Sequence, residues 1–306
     1  MNIKPQFLLL AAAWFAGSLT CHAKLNVVAS TPDLGAIAHS VGGDRIQLTV
    51  LAKSTEDPHF VDAKPSFIVK LNRADVLIEG GAELEIGWIP ALLSQTRNAN
   101  IRPGAPGHIA AAEGIALLDV PSALDRSQGD IHAAGNPHYI IDPENAKVVA
   151  RNIAEGLCRN DPASCDYFHE RLQKFVSEID TRLVQWQKTL APFQGQKVVA
   201  YHDSWPYFGR RFGLKIDLFL EPKPGIPPTP AHLADVILKM KSENAHVILV
   251  DPYLNRKTAE TVASKTGATV VDVTQFPGGL KGTEAGYIEL VDYLVNTLAK
   301  ALGGKS

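Results

Sequence analysis

Residues 197–220 read KVVAYHDSWPYFGRRFGLKIDLFL, and the reading of this stretch decides the fold. Lys197–Tyr201 is a short apolar run of strand length, closed by the polar His202-Asp203-Ser204. Trp205–Phe212 then reads as a helix stopped by Gly213, and Lys215–Leu220 as the next strand. Strand, helix and strand in such close succession make a parallel pair with a helical crossover. Downstream, Pro230–Asn244 is predicted helical and His246–Val250 a strand ending at Asp251-Pro252.

The same arrangement stands upstream. Residues 25–29 (LNVVA) form a strand, Leu34–Val41 a helix opened by Thr31-Pro32-Asp33, and Ile46–Leu51 a second strand. Lys64–Asn72 is helical with Pro65 in its first turn, and Asp75–Ile78 returns as a strand ending at Gly80-Gly81. NVVAS (26–30) matches KVVAY (197–201), and ADVLIEGG (74–81) matches AHVILVDP (245–252). Two similar α/β lobes with parallel-type sheets are therefore expected.

Between the lobes, Pro143–Leu190 is mostly helical, capped at its start by Asp142-Pro143 and broken near Asn160-Asp161-Pro162. Phe168, Leu172, Phe175, Ile179, Leu183 and Trp186 recur at three- and four-residue spacing, which marks one long amphipathic helix. The boundaries that follow are an export signal at 1–23, a first lobe at 24–142, a helical connector at 143–192 and a second lobe at 193–306.

The chain has 306 residues, 45% of them hydrophobic and 20% charged, with a formal net charge of -2. That balance provides no electrostatic footprint for nucleic acid. Lys4, the apolar run 7–16 and small residues up to Ala23 have the form of a cleaved secretory signal. The run falls short of the roughly 20 residues a membrane span needs. A lipid anchor on Cys21 is the rival reading, although Ser18-Leu19-Thr20 matches a lipobox poorly. Once Cys21 has left with the signal, Cys158 and Cys165 remain, flanking a short Asn-Asp-Pro loop, and an exported pair of this kind is expected to form a disulfide. A metal or redox role for the pair needs further ligands or a tighter spacing.

Three histidines share one setting. His59 in STEDPHFVD, His138 in AGNPHYIIDP and His202 in VVAYHDSWPYF each stand where an apolar segment meets a loop. His138 precedes the strand-like Tyr139-Ile140-Ile141. His202 stands at the carboxyl end of a strand, the edge where open parallel sheets bind ligands. Three imidazoles nearly complete a tetrahedral zinc site. A zinc hydrolase would use the same trio, with Asp251 or Glu221 as general base, but no H-E-x-x-H string is present.

DPHF (57–60) with KPSFIVKLNRADVLIEGGAELE, NPHYIIDPENA (136–146) and VAYHDSWPYFGRRFGL (199–214) resemble the cluster A-I (cluster 9) metal-binding solute receptors of bacterial ABC importers. The resemblance covers about residues 25–300. It implies two α/β lobes joined by one long helix, a metal ion in the inter-lobe cleft, a periplasmic location and delivery to a membrane permease by a monomer that is not an enzyme. Residue by residue it makes His59, His138 and His202 the first three ligands. Histidine at the third position resembles the zinc branch, where the manganese branch often has glutamate; Zn2+ is thus the implied cargo, with Mn2+ or Fe2+ as alternatives.

The family's usual fourth ligand is an aspartate after the last strand, and here Phe276-Pro277-Gly278 stands in its place. Asp251 is weighed first for that position and Glu221 second. Asp203, beside His202, points elsewhere if the backbone is extended, and water or chloride is the last option. The histidine-rich loop of many zinc members is matched only by Pro121–Gly135, whose His132 reads as an exposed loop residue. An accessory periplasmic zinc chaperone would then help supply the ion.

Overall fold

The computed structural model describes residues 23–122 and 132–304. The export segment and Cys21 lie outside them, save for Ala23, as do residues 123–131 of the Pro121–Gly135 loop. Among the described residues no helix is long and apolar enough to cross a membrane.

The first sheet holds β1 (Leu25–Ala29), β2 (Ile46–Val50), β3 (Val76–Glu79) and β4 (His108–Ala110) in the order β2-β1-β3-β4. The second holds β5 (Lys197–Ala200), β6 (Lys215–Phe219), β7 (Val247–Val250) and β8 (Thr269–Asp272) in the order β6-β5-β7-β8. Every pairing is parallel. The two halves thus share one topology, as the matched strings predict. In each sheet the order of strand addition reverses between the first and third strands, the switch point at whose carboxyl side α/β sheets bind ligands. His202 and Asp251 follow the two strands that flank this point in the second sheet.

Helices cover the sheets. In the first lobe they are α1 (Pro32–Gly42), α2 (Pro65–Asn72) and α3 (Ile89–Gln95). In the second they are α6 (Pro206–Phe212), α7 (Pro230–Ser242), α8 (Arg256–Thr266) and α9 (Tyr287–Leu302). Between the lobes run α4 (Pro143–Asn160) and α5 (Cys165–Leu190). Asp142 caps α4 by accepting from the Glu144 N–H at 3.0 Å. Helix α5 buries Phe168, Phe175, Ile179, Leu183 and Trp186 of the expected stripe, leaves Leu172 half-buried, and adds Leu190. Each such side chain contributes on the order of 1.5–3 kcal/mol.

A single core includes Val27 and Val76 of the first sheet, Phe175 and Ile179 of α5, and Val198 and Leu249 of the second sheet. The long helix is therefore a shared wall rather than a tether. Gly156 lets α4 lie directly on β4, since a Cβ there would come within 2.1 Å of Ile109 Cδ1.

Polar contacts tie the lobes further. Arg211 of α6 holds the fully buried Asp142 with two bonds, Nε to Oδ1 at 2.6 Å and Nη2 to Oδ2 at 3.0 Å. Tyr207 Oη donates to the Asn136 carbonyl at 2.7 Å and accepts from the Leu118 N–H at 2.8 Å. Tyr287 Oη donates to the Ile140 carbonyl at 2.7 Å.

Tyr139–Ile141 is a 3-10 turn, not the strand its residue types suggest. All three side chains are buried, and the turn feeds straight into the cap of α4. Cys158 and Cys165 form the expected disulfide, joining the last turn of α4 to the first residue of α5. Their separation of 7 residues closes a short loop, worth about 2 kcal/mol of chain entropy. Reduction is expected to lower urea-unfolding stability by about that much and to leave the far-ultraviolet circular dichroism unchanged; loss of the helical signal on reduction would contradict this.

Candidate metal centre

The carboxyl-side loops of both sheets meet at the three histidines. Ring centroids are 5.1 Å apart for His59–His138, 5.6 Å for His59–His202 and 5.4 Å for His138–His202. One nitrogen from each ring lies within 4.8 Å of the other two. The rings meet edge to face rather than in stacks, which directs nitrogens rather than ring faces toward a common point.

Each ring is held in place. Asp57 Oδ1 accepts from the His59 amide at 3.0 Å and contacts His59 Nδ1 at 2.9 Å. Pro58 fixes the backbone between them, and its carbonyl accepts from Trp88 Nε1 at 2.9 Å. Burial works to raise the Asp57 pKa, but the hydrogen bond and charge of His59 prevail and hold it below the usual carboxylate value. Glu221 Oε2 contacts His202 Nδ1 at 2.7 Å. In both rings a carboxylate at Nδ1 favours the tautomer that leaves the Nε2 lone pair free for a cation. Burial alone would lower the His202 pKa, yet the bond and charge of Glu221 raise it.

His138 is the deepest of the three, 6% exposed. Its amide donates to Asn136 Oδ1 at 3.0 Å, and its ring hydrogen-bonds Gln275. Burial, followed by the charge of the neighbouring imidazoles, drives its pKa well below the ordinary histidine value. An imidazole kept neutral in this way is ready to ligate a metal.

Neither carboxylate considered for a fourth position falls within the trio's mutual reach. Glu221 is engaged with His202. Asp251 is 1% exposed, with the side chains of Trp205 and Gln275 as donors, and its Oδ1 has no hydrogen-bond partner among the described residues. Burial pushes its pKa up to about 7 despite the nearby charge of His202.

His132 is not the exposed loop residue its sequence suggests. Its ring stacks on His59, centroids 5.2 Å apart, and burial lowers its pKa to about 4. No sequence pattern marks this contact, because the loop carrying His132 returns to the cleft by tertiary packing. Asp57 and Gln275 were also missed as supports. Asp57, two residues from His59, was the one legible from spacing. His132, His138, His202 and Asp203 line a recess of about 70 Å3, far smaller than the roughly 300–1,000 Å3 of organic-ligand pockets. His59 does not line it, so this is a small recess beside the trio, with room for an ion or water and little more.

A family model described as "Zinc-uptake complex component A periplasmic" matches residues 27–301. The chain belongs to this family. The zinc-uptake component A family consists of substrate-binding receptors of ABC transporters and not of enzymes, so the expected class is the correct one and the hydrolase reading falls. Its members work outside the cytoplasm, which agrees with export, and their role implies a membrane permease as partner.

A manganese ABC transporter substrate-binding lipoprotein, PsaA of Streptococcus pneumoniae, is 23% identical over 86% of this chain and 84% of its own. An iron ABC transporter substrate-binding lipoprotein, MtsA of Streptococcus pyogenes, is 23% identical over 86% and 83%. The crystal structure of ZnuA superposes with a TM-score of 0.78 at 23% identity, covering 91% of this chain and 99% of that one, and shows that the fold is shared. Divalent-metal binding is thus the common property of the family.

Proposed function

We propose that this chain is a zinc receptor that takes Zn2+ on His59 Nε2, His202 Nε2 and a nitrogen of His138 and hands it to an ABC permease. The observation that carries the reading is the all-nitrogen trio, each ring oriented by its own partner. Imidazole suits zinc, whereas manganese prefers oxygen donors, and zinc stands above manganese and iron in divalent affinity. We assign the fourth position to Asp251, whose buried Oδ1 is unpaired. Because its carboxylate stands outside the trio, a small approach of the second lobe accompanies binding. Glu221, the other candidate, orients His202 instead.

Protein purified without chelators is expected to carry one zinc per chain by elemental analysis, and excess Mn2+ or Fe2+ is expected to leave it bound. Displacement by manganese would move the cargo to the oxygen-preferring ions. Glu221→Gln is expected to weaken zinc binding by about 10- to 100-fold, the range for partners that orient a ligating imidazole. An unchanged affinity in that variant would remove Glu221 from the site. The receptor acts as a monomer, and an accessory periplasmic chaperone is a further expectation. A single symmetric peak at the monomer mass, with and without zinc, is the expected result in solution.

A further inference from the structure

The hairpin between α4 and α5 gathers a second set of metal-ligating side chains. His169, one turn along α5 from Cys165, lays its ring against the disulfide. Its Nε2 is 3.7 Å from Cys158 Sγ and 3.9 Å from Cys165 Sγ, and its Nδ1 is also 3.9 Å from Cys165 Sγ. Glu155, three residues before Cys158 on α4, meets His169 Nε2 at 3.0 Å. One ligand atom from each of Cys158, Cys165 and His169 lies within 4.8 Å of the others. The spacings of three and four residues place Glu155 beside Cys158 and His169 beside Cys165, each pair on one helix face. The His169 and Glu155 side chains are 42% and 54% exposed, so an ion can reach them from solvent.

A disulfide needs neither an imidazole nor a carboxylate, and its neutral sulfurs are weak ligands. Thiolates are strong ones. We propose that reduction of Cys158–Cys165 opens a second divalent-metal site, made of both thiolates, His169 and Glu155, with the sulfur–nitrogen–oxygen donor set that zinc accepts. A dithiol reductant supplies two electrons and two protons. Its own sulfurs join as a disulfide, and the Cys158–Cys165 bond cleaves to two thiols. A divalent ion displaces both thiol protons and forms two sulfur bonds, with the third bond from the His169 lone pair and the fourth from a Glu155 oxygen. Cys165 opens a 26-residue helix, where the helix dipole favours the thiolate. A disulfide oxidant reverses the sequence: it takes two electrons from the thiolates, the sulfur–sulfur bond re-forms and the ion leaves.

The test uses the full mature chain carrying His59→Ala, His138→Ala and His202→Ala, so that the trio cannot report and the result is independent of the zinc-receptor reading. The protein is reduced with a phosphine and titrated with Co2+ under anaerobic conditions. One Co2+ per reduced chain is expected, with a thiolate-to-cobalt charge-transfer band, and none in the oxidised chain. Adding His169→Ala is expected to weaken the binding by at least about tenfold. A reduced chain without the band, or one whose affinity ignores His169→Ala, overturns the proposal. If the triple variant fails to fold, reduced wild-type chain is compared with Cys158→Ser/Cys165→Ser. Wild type is expected to bind one more Co2+ per chain, and equal uptake overturns the site.

Discussion

Replacement of His138 by alanine is expected to weaken zinc binding by more than about 100-fold, beyond what loss of an orienting partner costs. His138 is the most buried imidazole of the trio. Its ring is already neutral in the metal-free protein, so binding loses nothing to proton release at that position. Two imidazoles would remain, on opposite sides of the cleft, and water would have to supply the rest of the coordination shell. Competition against a chromogenic chelator measures the change, with metal-free melting as the check on folding. His132→Ala is the matched control, because its ring stacks on His59 without joining the trio. Wild-type affinity in His138→Ala would dismantle the site assignment, whatever happened at the other two positions.

Glu85→Gln is expected to stabilise the metal-free protein by up to about 3 kcal/mol at pH 8 and to change it little at pH 4. Glu85 is 3% exposed, and its Oε1 accepts from Ser30 Oγ at 2.6 Å and from the Gly80 N–H at 2.7 Å. Burial raises its pKa from 4.5 to about 7, against the pull of those two bonds. Between these values the folded chain holds a proton that the unfolded chain has released. The folded state is then the one that binds more protons, so stability falls as pH rises from about 4.5 to about 7 and stays lower above that. At about 1.4 kcal/mol per pKa unit the gap gives the stated figure. Glutamine keeps a carbonyl oxygen for Ser30 and Gly80 and carries no charge at any pH. Urea midpoints of both proteins at pH 4 and pH 8, with chelator present, measure the difference. A variant that is less stable than wild type at pH 8 would show that the ionised carboxylate is favoured by its surroundings.

The lobes and the trio were legible because strand and helix periods are local and each histidine stands beside a recognisable strand end or Pro-His pair. Matched strings such as ADVLIEGG and AHVILVDP carried the repeat, since buried parallel strands leave nearly continuous apolar runs. What could not be read depends on tertiary packing. Tyr139–Ile141 has strand-like residue types, but its place between a metal-site loop and a helix cap makes it a turn. His132 reaches His59 through a loop with no periodic signal. Asp251 and Glu221 could not be told apart by sequence, because the partners of each, Trp205 and Gln275 for the first and His202 for the second, are set by tertiary packing. His169 and Glu155 carry no motif with the cysteines, and only the helix hairpin brings the four together.

The identical strand order of the two sheets, β2-β1-β3-β4 and β6-β5-β7-β8, gives every strand end a counterpart across the cleft. His59 follows β2, as Glu221 follows β6; His202 follows β5, as Thr31 follows β1; Gln275 follows β8, the strand equivalent to β4, after which His138 comes. The candidate donors therefore stand in the connections beyond the strands rather than within them. A change of side chain there leaves the buried strands of both sheets untouched. Relatives named for manganese and for iron, at 23% identity to this chain, fit a frame whose candidate donors stand at its edges rather than in its core.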